Sequence, residues 1–217
     1  MKTTLLVVLM ACCLAGCGPR HGHLRYSSAQ QVKALDKSDR DQWQRPIWLM
    51  DKLQIKPGMS VVDLGAGAGY LLPHLSKAVG PTGKVYALEV DADLLAQLRD
   101  LVKRLNLTNV TVVRGQPLGV PVAGQVDFAL LLNTYPELDN PVEMLQSLHA
   151  HIKPTGRLAV IDYRLDPKTP GPPQQERLAP ETIQAEARGA GFDEVANIPG
   201  LPRQYCLVFS RHLSAGQ

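Results

Sequence analysis

The chain has 217 residues, of which 45% are hydrophobic and 20% charged, and its formal net charge is +3. That length buries a single core of ordinary size without staples, and the balance excludes both a disordered chain and a multi-span membrane protein. Aromatic residues make up only 5% and the Lys and Arg are dispersed, which argues against a nucleic-acid partner.

Residues 1–17 read MKTTLLVVLMACCLAGC: one early lysine, an apolar stretch from Leu5 to Ala15, then a small residue before Cys17. A helix needs about 20 apolar residues to span a bilayer, so this stretch is too short for a span and suits the core of an export signal. Leu14-Ala15-Gly16-Cys17 resembles the bacterial lipobox, in which the cysteine is acylated and the leader is cut before it. Several acyl chains anchor firmly where one anchors marginally. The expectation is a signal over 1–16 and a soluble domain tethered to a membrane through lipidated Cys17. Gly18, where aspartate would signal retention, points by the same resemblance to the outer membrane, facing the periplasm. The alternatives are an ordinary secretory signal with an incidental cysteine, or an uncleaved anchor.

Residues 17–40 are polar and contain Pro19, His21, Gly22 and His23, a pattern read as a tether with a short helix, and the domain is taken to begin at Asp41. A helix through Trp43, Ile47, Trp48, Leu49 and Leu53 is stopped by Lys56-Pro57-Gly58, and Pro46 offers an alternative start for it. Val61 to Leu64 reads as a strand, followed by a helix with Leu71, Leu72, Leu75 and Val79 on one face. Val85 to Val90 is the next strand. Leu94, Leu95, Leu98, Leu101, Val102 and Leu105 then recur at amphipathic helical spacing. Val110 to Val113 and Val126 to Leu132 are strands, the second apolar on both faces. Asn140-Pro141-Val142-Glu143 predicts a capped helix through Met144, Leu145 and Leu148. His149 and His151 fall in its last turn, where histidines meet terminal carbonyls rather than a metal.

Arg157 to Tyr163 is a fifth strand. Five prolines between 167 and 180 mark a surface loop long enough to be functional. A helix from about Glu181 to Arg188 and a strand from Tyr205 to Phe209 complete the chain. Cys206 lies in that last apolar run and reads as a buried thiol. With Cys12, Cys13 and Cys17 confined to the leader, the domain has neither a disulfide framework nor a cysteine zinc site, and no metal is expected. Alternating elements with continuously apolar strands predict a doubly wound α/β fold around a mostly parallel sheet.

The chemistry concentrates where the first strand ends. Asp63-Leu64-Gly65-Ala66-Gly67-Ala68-Gly69 precedes a helix, and its glycines permit a tight turn that a ligand can approach without a Cβ in the way. A dinucleotide fingerprint would place its third glycine at Tyr70, so nicotinamide binding is disfavoured. Glu89 stands 24 residues after Gly65 at the end of the second strand, where a carboxylate can accept both ribose hydroxyls of a nucleoside. Asp91 is better placed to cap the helix that follows.

The ordered set VVDLGAGAGY, GKVYALEVD, NVTVVRG, VDFALLLNTYPEL, HIKPTGRLAVIDY and ARGAGF resembles the class I S-adenosylmethionine-dependent methyltransferases, especially the ubiquinone and menaquinone biosynthesis branch. The resemblance implies a seven-stranded sheet with an antiparallel last strand, and S-adenosylmethionine as cofactor. It also implies that Asp63, Gly65, Ala66, Gly67 and Gly69 form the cofactor turn, that Glu89 takes the ribose, and that Val90 packs on the adenine. Gln116 stands where relatives carry an aspartate for the adenine amino group, and Asn133 is placed beside the methionine part.

Pro136 replaces a histidine common in relatives, so Tyr135 and Glu137 become the candidates for acceptor binding or proton removal. In-line positioning alone can supply most of the acceleration of a methyl displacement. The expected function is methyl transfer to a small or lipid-like acceptor. The alternative is a membrane-tethered binding protein that retains the fold, since the cofactor is made in the cytoplasm and the leader directs the domain out of it.

Overall fold

The computed structural model describes residues 39–212; Cys17, His21 and His23 lie outside the described residues. Seven strands form one sheet in the order β3-β2-β1-β4-β5-β7-β6, comprising β1 (Ser60–Leu64), β2 (Lys84–Glu89), β3 (Val110–Arg114), β4 (Val126–Leu132), β5 (Ile152–Tyr163), β6 (Phe192–Asn197) and β7 (Gln204–Arg211). Strands β1 to β5 pair in parallel, and β7 runs antiparallel to both β5 and β6. This is the doubly wound α/β sheet expected, with its antiparallel last strand.

Each central strand feeds both faces of the sheet. Val61, Leu130, Ala159, Ile161, Cys206 and Val208 bury one side chain set against one layer, while Val62, Leu131, Leu158, Val160, Leu207 and Phe209 bury the other. The helices that cover them are α1 (Arg40–Gln44), α2 (Pro46–Lys52), α3 (Leu72–Val79), α4 (Ala92–Arg104), α5 (Pro141–His151) and α6 (Pro180–Gly189). In α3 the predicted face, Leu71, Leu72, Leu75 and Val79, is fully packed. Asp91 caps α4 by accepting from the N–H groups of Asp93 and Leu94, a contact type worth about 1 kcal/mol. None of the described helices is long and apolar enough to cross a membrane.

Several boundaries differ from the sequence reading. The folded part begins before Asp41: Asp39 pairs with Arg203 at 3.2 Å and Arg40 opens α1, so both belong to the domain rather than to a tether. The single expected helix before β1 is two, because Arg45 adopts a left-handed φ of 50° and Pro46 starts α2. Asn140 makes no side-chain cap; Pro141 at the first position opens α5 instead. Strand β5 starts at Ile152 rather than Arg157, because Ile152 pairs with Val126 before a register shift. His149 packs edge-on against Phe192 at 5.2 Å and His151 Nδ1 lies 2.8 Å from Ser147 O, both structural contacts.

The strand order reverses between β1 and β4: β2 and β3 are laid to one side of β1, and β4, β5, β7 and β6 to the other. In open parallel sheets, ligands bind at the carboxyl ends of the strands flanking that reversal.

Candidate cofactor and acceptor site

The turn leaving β1 is held to the sheet by two hydrogen bonds, from Gly65 N and Ala66 N to Leu88 O, both 2.9 Å. Its three glycines serve different ends, although all have positive φ (76°, 56° and 87°). A Cβ on Gly65 would lie 2.3 Å from Thr134 Cγ2, so this glycine lets the turn approach the end of β4. A Cβ on Gly69 would lie 2.5 Å from Leu101 Cδ2, so this one lets α4 pack. A Cβ on Gly67 would meet nothing within 4 Å, so this backbone faces open space.

Glu89 closes the turn from the neighbouring strand. Its Oε2 accepts from Gly67 N at 2.9 Å, and its Oε1 accepts from Val90 N at 2.7 Å and Asp91 N at 3.1 Å. The carboxylate is therefore prepositioned, 8% exposed, at the edge of the open space beside Gly67. Val90 is 55% exposed, unusual for a valine next to a buried strand, and with Arg114, Gly115, Gln116 and Pro117 it lines an open cleft of ≈ 500 Å³. Apolar Val90, an amide at Gln116, a fixed carboxylate and a bare glycine backbone match, in that order, an adenine face, its amino group, a ribose diol and a close-approaching chain. The residues fit an adenosyl group.

A short helix spans the far side of the turn. Tyr70, at the place of a dinucleotide motif's third glycine, donates its hydroxyl to Asp41 Oδ1 at 2.6 Å, and Arg40 lies 3.6 Å over its ring. Sequence reading assigned Tyr70 only an exclusion; it fastens α1 to the glycine turn. Trp43, left between lid and core, is 6% exposed and packs on Tyr163 (5.9 Å) and under Arg203 (4.7 Å). Arg45 reaches Gly200 O at 2.9 Å, which ties α1 to the loop before β7.

On the other side, Asn133 ends β4 with a left-handed φ of 56°, and Thr134 Oγ1 lies 3.4 Å from Gly65 O. Asn133 is thus brought next to the glycine turn. Tyr135 is a correction. Its ring has no exposed surface and its hydroxyl donates to Glu186 Oε2 at 2.8 Å, which makes it a core group rather than a group presented to an acceptor. The reason is the short 3-10 turn at Tyr135–Glu137, which turns position 135 inward and leaves Glu137 exposed.

Two carboxyls buried at this edge escaped the sequence reading as a pair: Asp63 at the end of β1 and Asp162 at the end of β5, 3% and 2% exposed. Burial, reinforced by the charge of Glu89 and opposed by Arg40, pushes Asp63 up to about 7. Burial likewise raises Asp162 to about 7, with Glu137 adding to the shift, while the Tyr163 N–H and Arg177 oppose it. A polar residue closing the apolar run Leu158 to Ile161 was the available signal for Asp162. Both acids hold a proton in the folded state that the unfolded chain releases near 3.8. Their contribution to stability is complete below that value and is lost as pH rises through about 7. Asp162→Asn, which cannot ionise, is expected to gain stability relative to the parent as pH is raised from 5 to 8, by up to ~1.4 kcal/mol per unit. Urea unfolding of the two proteins across that range checks this; parallel curves would refute it.

The loop expected from the proline count is built around one side chain. Arg177 is 8% exposed and donates to four carbonyls: Pro172 (2.9 Å), Arg164 (2.8 Å), Asp166 (3.1 Å) and Thr169 (2.9 Å). Gly171 folds so tightly onto Tyr163 that a Cβ would lie 2.5 Å from the ring. The loop is therefore fixed against the end of β5, next to Trp43.

The sequence matches the methyltransferase-domain family over residues 55–197, well over half of the chain. The chain belongs to that family. A solved S-adenosylmethionine-dependent methyltransferase from Aquifex aeolicus is 30% identical, with a TM-score of 0.81 over 85% of this chain and 98% of that one. A glycopeptide N-methyltransferase crystallised with S-adenosylmethionine shares the fold at 17% identity and a TM-score of 0.62, covering 76% of this chain and 92% of that one.

Among curated proteins, the protein-L-isoaspartate O-methyltransferase of Methanococcoides burtonii is 30% identical over 50% of this chain and 54% of its own length. The ubiquinone/menaquinone biosynthesis C-methyltransferase of Legionella pneumophila is 31% identical over 56% of this chain and 48% of its own. The chain spans about half the length of these curated relatives. S-adenosylmethionine is the cofactor of the family, and the Gly67 and Glu89 geometry suits it.

Proposed function

We propose that this methyltransferase transfers the methyl group of S-adenosylmethionine to a small or lipid-like acceptor, from a position anchored at the membrane through lipidated Cys17. The observation that carries the catalytic reading is the Glu89 carboxylate fixed 2.9 Å from Gly67 N beside open space, at the strand-order reversal. The cofactor supplies an electrophilic methyl on a sulfonium. The chain supplies position: Glu89 accepts the ribose hydroxyls, Val90 covers the adenine, Gln116 accepts from its amino group, and Gly65 to Gly69, with Ala66 and Asp63, shape the turn.

Asn133, next to the glycine turn, would lie beside the methionine part of the cofactor, and Glu137 is an exposed carboxylate just after β4. No base is required where the acceptor is held in line at near-contact distance. The small-acceptor reading is supported by the likeness to the ubiquinone/menaquinone biosynthesis C-methyltransferase. The lipid-like reading is supported by the lipobox-like leader, which would hold the domain at a membrane surface.

One experiment addresses both. The full chain, expressed in a bacterium fed labelled palmitate, is expected in the membrane fraction with label, and Cys17→Ser is expected to lose both. Those membranes, given methyl-labelled S-adenosylmethionine, are expected to yield a labelled small or organic-extractable product that Glu89→Ala abolishes. Unchanged palmitate labelling of Cys17→Ser overturns the anchor. Cofactor binding without any methylated product leaves the tethered binding protein as the better reading.

A further inference from the structure

Ile47, the second residue of α2, is 74% exposed, the most of any large hydrophobic side chain among the described residues. A single apolar side chain at a surface needs no explanation, but this one has neighbours of its kind. Trp48 beside it is half-buried, with the Arg45 guanidinium 5.1 Å over its ring. The loop between β6 and β7 folds onto that indole: a Cβ on Gly200 would lie 2.9 Å from Trp48 Cζ2, and Pro199 and Pro202 in the same loop are exposed. From the other flank Arg164 donates through N to Arg203 O (3.1 Å) and through Nη2 to Leu201 O (3.2 Å). That sets Leu165, 42% exposed, beside the same loop. Ile47, Trp48 and Leu165 thus border one loop as an apolar margin.

The margin has a fixed place. Strand β5 ends at Tyr163, which pairs with Gln204 at the start of β7, so the loop lies at the carboxyl end of the parallel strands, as the glycine turn does. Beneath it, Gln44 Nε2 donates to Gln204 Oε1 and Gln204 Nε2 donates to Asn133 Oδ1, which ties α1 to the end of β4. The chain also enters the domain here: Asp39, the first described residue, pairs with Arg203, and residues 1–38, Cys17 among them, precede it.

The partner follows from charge, size and that point of entry. Arg45 and Lys168 are exposed at this margin, but so are Asp41, Asp51 and Asp166, so no single-sign field selects a charged partner. A standard protein interface uses about 20–30 residues a side, far more than this margin offers. A lipid surface asks less, because an acyl anchor becomes firm once a second, weaker signal adds to it. Indole and guanidinium suit that role, each with an apolar body and a polar tip.

We propose that Ile47, Trp48 and Leu165 enter the boundary between head groups and acyl chains of the bilayer, which turns the carboxyl end of the sheet towards the membrane. The proposal deepens the anchored reading and rests on acylation of Cys17.

Tryptophan occurs only at positions 43 and 48, which supplies a reporter. Trp43 is buried between Tyr163 and Arg203 and serves as the internal reference. The lipidated full chain is reconstituted in vesicles of phosphatidylethanolamine and phosphatidylglycerol, with plain or brominated acyl chains, since bromine quenches an indole only at close range. Brominated vesicles are expected to quench the parent, and Trp48→Phe is expected to lose most of that quenching. The double variant Ile47→Glu, Leu165→Glu is expected to float with the vesicles as the parent does, yet to show at least about threefold less quenching. Ile47→Leu, which keeps the apolar side chain, is expected to retain it.

Equal quenching of the parent and the double variant overturns the proposal, and so does a parent that floats unquenched. An unquenched parent that self-associates in detergent, where Ile47→Glu does not, marks a face between copies of the chain and overturns it too. A parent that fails to float removes the anchored reading and this proposal with it.

Discussion

Replacing Gly67 with arginine is expected to lower affinity for S-adenosylmethionine and S-adenosylhomocysteine by at least about 100-fold, equivalent to ~2.7 kcal/mol, while leaving a folded protein. The fold should survive because a Cβ at this position meets nothing within 4 Å. The remaining penalty is the left-handed φ of 56°, which costs a non-glycine residue about 1–2 kcal/mol. The long side chain then projects into the space beside Glu89 that an adenosyl group requires.

Gly65→Ala makes the informative contrast. Its Cβ would stand 2.3 Å from Thr134 Cγ2, so it is expected to lose stability as well as binding. Calorimetry with S-adenosylhomocysteine and a thermal melt separate the two outcomes. Binding by Gly67→Arg within about threefold of the parent would mean that the turn is not where the cofactor lies.

Arg177→Met is expected to cost about 3–5 kcal/mol of stability, the largest effect anticipated for any residue outside the apolar core. Methionine fills much of the same volume but donates nothing, so the carbonyls of Arg164, Asp166, Thr169 and Pro172 lose their shared partner. A single guanidinium with five donors in a rigid fork can hold four carbonyls at once, and lysine cannot. The loop from 164 to 180 should also become a site of early proteolytic cleavage. Urea unfolding and a timed protease digest read the two effects, and a loss below about 1 kcal/mol with an intact loop would refute the assignment. Methyl transfer should fall with it, since the same loop holds Tyr163 through Gly171.

The difference between these two predictions is also the difference between what was legible early and late. The glycine turn, Glu89 and the capping by Asp91 follow from residues close in sequence, whose geometry is local: three glycines, one strand end, one helix start. The strands β1, β2 and β4 are legible because both their faces are buried, which leaves unbroken apolar runs. Strand β6 was not separated from its surroundings because it is an edge strand, with Asp193, Glu194 and Val195 exposed, and so carries no such run. Asn140 misled for a related reason: its residue type favours a cap, but its backbone (φ −129°, ψ 74°) left Pro141 to open the helix alone.

Tyr135 shows the limit most directly. Its place in the sequence after β4 suggests a group presented to an acceptor, yet one short turn rotates it into the core against Glu186, and a rotation of that kind has no signature in composition or spacing.

By itself, then, the sequence determined the α/β class, the order of most elements, the glycine turn and the carboxylate of Glu89 at the neighbouring strand end, because each depends on periodicity or on neighbours within a few residues. Only the tertiary structure decided which glycine faces open space, that Tyr70 and Asp41 fasten a helix to the turn, and that Arg177 organises the proline-rich loop. It alone joined Gln44, Gln204 and Asn133, which are separated by as many as 160 residues. The physical reason is common to all of these. A hydrogen bond or a close approach between distant segments is specified by the packing of the whole sheet, and no local pattern records it until the strands have been laid side by side.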